Sequence, residues 1–186
     1  METDKQLGKV GNSLSSNQAP SELVLDGSKE SDYQKSFSLL VDMIDRTLDD
    51  YKGDLQQILF PIFAILYLTM IRRGFESEGQ EFFQKFAYLF QTQNSLFNEY
   101  LNLLESVKTL QDINSSLDAE KLIKNKFVIK VSLYGKQILL QYLKFENLVL
   151  LLQIVNSNIE FEITQERNII DFVTAATALK SDNTLP

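Results

Sequence analysis

Fourteen consecutive residues, Ile58–Ile71, carry no charged side chain and include Pro61. Such a run has few destinations. A membrane-spanning helix needs roughly 20 apolar residues, so this stretch is too short to cross a bilayer. Apolar on every side, it predicts the central, most buried helix of a folded domain. Pro61 has no amide hydrogen to donate and its ring crowds the preceding turn, which predicts a kink near Gln57. Arg72 and Arg73 then place positive charge where the helix dipole favours it, and Gly74 ends the segment.

The whole chain is 186 residues, enough for one domain with tails. With 44% apolar and 23% charged residues it has the composition of a folded domain. Lys and Arg number 18 against 25 Asp and Glu, a formal charge of −7. That balance argues against sequence-independent nucleic-acid binding, which depends on neutralising phosphates, and against an anionic membrane partner. The sequence has no Cys and no His. Disulfides and thiolate metal sites are thereby excluded, as are Ser-His-Asp and Cys-His catalytic groups. No metal or other cofactor is indicated, and any chemistry would have to rest on carboxylates and lysines.

Residues 1–30 contain Gly8, Gly11, Pro20 and Gly27 among many polar residues. They read as a flexible polar leader, without the apolar core of a targeting signal. The folded domain is expected over 31–164, with a helical extension and polar tail over 165–186. Ser31 and Gln34 fit a capping box. After them Tyr33, Phe37, Leu40, Val41, Ile44, Leu48 and Tyr51 keep helical spacing within about a 100° arc. This predicts one long helix ending at Gly53 as its C-terminal cap, with Asp54 capping the apolar helix. Phe82, Phe83, Phe86, Leu89 and Phe90 form a core stripe on a third helix, and Leu96, Tyr100, Leu103, Leu104 and Val107 mark a fourth. Gln111–Ala119 reads as a polar loop.

The period then changes. Phe127, Ile129, Val131 and Leu133 alternate with Val128, Lys130 and Ser132, as do Ile159, Phe161 and Ile163 with Glu160 and Glu162: two strands. Their pairing would set Lys130 opposite Glu160 or Glu162. Two short helices, Lys136–Lys144 and Asn147–Asn156, lie between them, and a weaker helix through Ile169, Ile170 and Val173 follows. The fold class is mainly α, a multi-helix domain with one small two-stranded sheet near its C-terminal end.

Three groups of residues invite a functional reading. Asp42, Asp45 and Asp49 line one side of the first helix; a Mg²⁺-dependent enzyme is the alternative they offer, a solvated face the plainer one. Lys121, Lys124, Lys126, Lys130 and Lys136 form the one basic cluster, suited to an acidic protein partner or to solvent. Leu39 and Met43, one turn apart and off the main stripe, suit a neighbouring helix or a partner. The candidate partner-binding residues are therefore Leu39, Met43, Lys124, Lys126 and Lys130, with no catalytic, cofactor or metal residue.

A resemblance adds to this. Asp49-Asp50-Tyr51-Lys52 with Leu55, then Leu59-Phe60-Pro61-Ile62-Phe63, Tyr67-Leu68 and Phe82-Phe83-Gln84-Lys85-Phe86, are similar to the N-terminal (NTD2-type) domain of TFIID subunit five, the WD-repeat TATA-binding-protein-associated factor. Lys126–Ser132, Ile154-Val155-Asn156 and Ile159 continue the match in order. The resemblance implies a helical, non-catalytic and nuclear scaffold. Within TFIID, and within SAGA where the subunit is shared, it would pack against histone-fold subunits and the propeller. Ile65 stands where the family often has an aromatic or His. No WD repeats follow residue 164, so a fragment of a longer subunit or a stand-alone version is expected, and no LisH dimerisation motif is recognisable in residues 1–30, which removes that route to a dimer.

Overall fold

Thr47 and Leu48 decide where the first helix stops. The computed structural model of the protein describes residues 29–91 and 95–164. Helix α1 spans Glu30–Arg46. It is capped not by Ser31 but by the Lys29 backbone N–H donating to the Asp32 carboxylate at 3.0 Å. The helix does not run on to Tyr51. Thr47 and Leu48 both adopt extended backbone, and the Thr47 hydroxyl donates to the Met43 carbonyl at 2.9 Å. A separate helix α2, Asp49–Gln56, follows, with Asp49 and Asp50 in its first turn. Gly53 therefore lies inside a helix rather than capping one, and so does Asp54.

The apolar run becomes helix α3, Leu59–Arg72, in which every residue from Leu59 to Ile71 is buried. The helix is interrupted at Gln57 and Ile58, where the kink was expected, and Pro61 lies in the first turn of α3, where its missing N–H costs no helical hydrogen bond. By length and composition Asp49–Arg72 could cross a membrane, yet its apolar part is enclosed by the other helices. The end follows the expectation. Gly74 (φ +83°) takes a left-handed turn in which its N–H reaches the Ile71 carbonyl and that of Phe75 reaches Met70, each at 3.0 Å. Arg73 locks the corner, donating to the Tyr33 hydroxyl at 2.8 Å with its guanidinium over the Phe75 ring.

Helix α4 spans Glu76–Phe86 and continues as a 3₁₀ turn, Ala87–Phe90. Phe82, Phe86 and Phe90 are buried, as the stripe predicts, while Phe83 and Leu89 are partly covered. Phe63 of α3 is the hub: its ring centroid lies 5.9 Å from Phe37, 5.4 Å from Phe82 and 5.0 Å from Phe90. Helix α5 is Ser95–Ser106, with Leu104 and the following Val107 buried.

The expected loop over Gln111–Ala119 is instead two short helices, α6 (Leu110–Ser115) and α7 (Leu117–Lys124). Its polar residues are caps. Thr109 accepts from the Asp112 N–H while the Asp112 carboxylate accepts from Thr109, and Ser116 accepts from Ala119. Strand β1, Phe127–Ser132, gives way at once to helix α8, Leu133–Phe145, capped by the Ser132 hydroxyl. Leu133 thus opens a helix rather than ending a strand. Helix α9, Val149–Asn158, leads into strand β2, Ile159–Thr164. The two strands pair in parallel, with Lys130 opposite Glu162 and Val128 opposite Glu160. The expected helix through Ile169, Ile170 and Val173 lies outside the described residues.

Candidate interaction surfaces

The strand pair is braced on one side by α2. The Asp54 carboxylate accepts the Ser132 backbone N–H at 2.9 Å, and the Gln57 side-chain amide donates to the Lys130 carbonyl at 3.4 Å. An outer edge of β1, which would otherwise offer unpaired backbone groups, is occupied by these two side chains. Asp54 was expected to cap α3; its work is this cross-chain bond, and nothing in its local sequence signals a partner 78 residues away. The Tyr51 and Tyr134 rings meet 5.2 Å apart where α2 passes the start of α8.

The candidate residues fall in different places. Met43 is buried in the core, and Leu39 is partly buried against it. The Leu39 carbonyl accepts the Tyr142 hydroxyl at 3.2 Å, and its side chain borders a shallow cleft with Asp32, Lys35, Glu146 and Val149. The Tyr142 phenol is pushed above its ordinary range, first by burial and then by Glu146 and Asp42. Lys124, Lys126 and Lys130 are all exposed. Lys124 reaches Glu120 at 3.2 Å and Lys121 reaches Asp118 at 2.9 Å, both along α7. Lys130 faces Glu162 across the ladder, and the Lys136 ammonium lies 5.2 Å from the Phe161 ring centroid. Much of the cluster's charge is thus answered by its own acidic neighbours.

Asp42, Asp45 and Asp49 are not brought together around a point. The break at Thr47 moves Asp49 onto α2, and Asp45 pairs with Lys52 at 3.2 Å. Among the described residues no three carboxylates are grouped so that they could hold a metal ion. A second cleft, beside α4 and α5, is lined by Tyr67, Phe83, Tyr88, Glu105 and Lys108. The Tyr67 phenol in it is pushed up to about 12 by burial and then by Asp112 and Glu105. The buried Tyr67 hydroxyl donates to the Val107 carbonyl, a structural bond that ties α3 to the end of α5.

The exposed apolar side chains were not visible from periodicity. Leu48, Leu133, Tyr134 and Phe145 are each more than half exposed. Leu48 had been placed on the core stripe because the stripe assumes an unbroken helix, and Leu133 on the inner face of a longer strand.

Comparison with known proteins places this geometry. The chain is similar to Transcription initiation factor TFIID subunit 5 of Arabidopsis thaliana, 29% identical over 131 residues, covering 70% of this chain and 19% of that protein. The SAGA complex/transcription factor TFIID complex subunit Taf5 of Schizosaccharomyces pombe is 25% identical over 140 residues, covering 73% of this chain and 21% of the relative. The chain therefore spans about a fifth of the length of these curated relatives. The crystal structure of the Encephalitozoon cuniculi TAF5 N-terminal domain shares the fold, with a TM-score of 0.63 at 24% identity, over 71% of this chain and 98% of that one. The family model described as "WD40 associated region in TFIID subunit, NTD2 domain" matches residues 27–159, well over half the sequence, and the chain belongs to that family.

Proposed function

We propose that this chain is a non-catalytic scaffold domain of the general transcription machinery, acting in the nucleus within TFIID and, as the fission yeast relative's name suggests, SAGA. Its partners in this reading are histone-fold subunits and a WD-repeat propeller. The domain limits that go with it are a polar leader over 1–30, a scaffold over 31–164 and an extension over 165–186. The observation that carries the proposal is family membership across residues 27–159. The described helices, fixed by a dense aromatic core, support it. The mechanism is presentation of a rigid surface, in which burial of Phe, Leu and Ile holds polar helix faces in a fixed arrangement.

The test is light scattering coupled to size-exclusion chromatography of the full chain, alone and mixed with the purified histone-fold pair of the same complex. Co-elution at the summed mass supports the scaffold reading. Separate peaks at micromolar concentration count against direct docking by this domain.

A further inference from the structure

The two-stranded sheet has two edges, and the fold treats them differently. On β1 the outer edge is taken by α2, where the Ser132 N–H donates to Asp54 and the Lys130 carbonyl accepts from Gln57. These bonds also fix which way the backbone of β2 faces. Along a strand, successive residues turn their N–H and C=O alternately to one neighbour and to the other. Lys130 and Ser132 turn away from β2, so Ile129 and Val131 turn toward it. In parallel register each of these bonds to the residues flanking its partner, and their partners are Phe161 and Ile163. Glu160, Glu162 and Thr164 therefore face β1, while Phe161 and Ile163 turn both backbone groups outward. The Ile159 N–H is held by the Val155 carbonyl at the end of α9. Among the described residues, no group bonds to the outward N–H and C=O of Phe161 and Ile163. Such an edge is a template for a further strand.

We infer that the β2 edge takes an extended segment of a partner protein, with Lys or Arg at alternate positions beside Glu160 and Glu162. Both glutamates are exposed on one face of β2, and neither makes an ion pair among the described residues. A strand added at the open edge lies about 4.8 Å from them and roughly 9.6 Å from Lys130 on β1, beyond the screening length of about 8 Å at physiological salt. Lys126 precedes β1 on that same far side. The Lys136 ammonium lies over the Phe161 ring, on the opposite face of β2. The charges nearest the added strand on the glutamate face are thus negative. On the other face Phe161 is partly buried and Ile163 is 44% exposed, so the residues between the cations are apolar. The glutamates also exclude other occupants. A second copy pairing antiparallel through its own β2 sets acid beside acid. The chain's apolar stretches outside the described residues carry acids too, Glu22 and Asp26 about residues 23–25 and Asp171 within 169–173. Main-chain bonds supply the affinity and alternate side chains the specificity, whichever assembly provides the segment.

The experiment follows amide exchange in the full chain with two synthetic peptides, one alternating Lys and Val, the other Glu and Val. In the free chain the Glu162 amide is expected to be protected and those of Phe161 and Ile163 to exchange freely. The Lys-Val peptide, up to millimolar concentration, should slow Phe161 and Ile163 by about fivefold or more, and the Glu-Val peptide should not. Of two Lys-Val peptides methylated at every Lys nitrogen or at every Val nitrogen, one should bind roughly tenfold more weakly, because only one set of amides faces β2. Glu160→Gln with Glu162→Gln should weaken the Lys-Val peptide by about fivefold. Ile163→Pro removes an edge donor that the ladder does not use, so the fold should persist and protection at Phe161 be lost. Unchanged exchange at Phe161 and Ile163, or an equal response to both peptides, overturns the inference and leaves the scaffold reading untouched. Protection of those two amides in the free chain overturns it as well: if it grows with protein concentration the occupant is a second copy, and if not, the chain's own residues.

Discussion

Tyr67 shows what one buried polar atom contributes. Its hydroxyl donates to the Val107 carbonyl inside the domain, so Tyr67→Phe leaves a buried acceptor without its partner. A loss of about 1–3 kcal/mol is expected, read as a lower urea midpoint at unchanged slope. The pH dependence has a definite sign. The phenol pKa is raised from 10.0 to about 12; its contribution is fully present below pH 10 and drains away as pH climbs toward 12. The wild type should therefore lose stability more steeply than Tyr67→Phe in that window. Asp112 runs the other way. Backbone N–H groups of Lys108 and Thr109, with the Thr109 hydroxyl, hold its carboxyl below the ordinary range, so its contribution fades only in acid. Phe86, packed 4.9 Å from Phe37 and 5.1 Å from Phe82, is a cavity site: Phe86→Ala should cost about 3–5 kcal/mol. A melting temperature unchanged within a degree or two would remove Phe86 from the core.

Among the elements, the apolar helix was the easiest to see. Hydrophobic run length fixes that α3 is central, and Pro61, four residues beyond Gln57, marks the interruption at Gln57 and Ile58. Since Pro61 occupies a first turn, Pro61→Ala should change stability by less than about 1 kcal/mol, far below the roughly 3 kcal/mol of a mid-helix proline; thermal melting decides. Thr47 and Leu48 carry no such marker. A helical stripe from Tyr33 to Tyr51 is compatible with one helix or two, and the choice is made by two extended backbones that leave no mark on spacing. The short α6 and α7 were hidden because six- and eight-residue helices hold too few apolar positions to show a period, and their caps, Thr109, Asp112 and Ser116, read as the polar residues of a loop. Strand pairing was legible too, since Lys130 and Glu162 are the complementary charges of the two alternating segments. Asp54→Ala is expected to speed amide exchange at Ser132 selectively, since it removes the acceptor that protects that edge.

For the molecule as a whole, core and family were readable because the quoted motifs are dominated by packed residues: Phe60, Phe63, Tyr67, Phe82 and Phe86 are all buried. Surface was not, because an exposed leucine and a buried one are the same letter until the chain's direction is known. Leu39 and Met43 illustrate this: a pair off the main stripe proved to be half and wholly inside. The dispersed Asp42, Asp45 and Asp49 lead to a further prediction. About 5 mM Mg²⁺ should leave the melting temperature within roughly 1 °C, since a ligand that binds only the folded state must raise it. A clear rise would restore those carboxylates as a site.

The parallel pairing of β1 and β2 has a consequence for the order in which the chain is made. A hairpin can close as soon as its turn has emerged, but here Phe127 must wait for Ile159. As the polypeptide leaves the ribosome, α1 to α7 and β1 are out before β2 exists, and until then β1 has only Asp54 and Gln57 of an already synthesised helix to steady its backbone. The last six residues of the described domain, Ile159–Thr164, are thus the ones that complete it. Ending a clone at residue 159, where the family match stops, would release a chain whose sheet can never form.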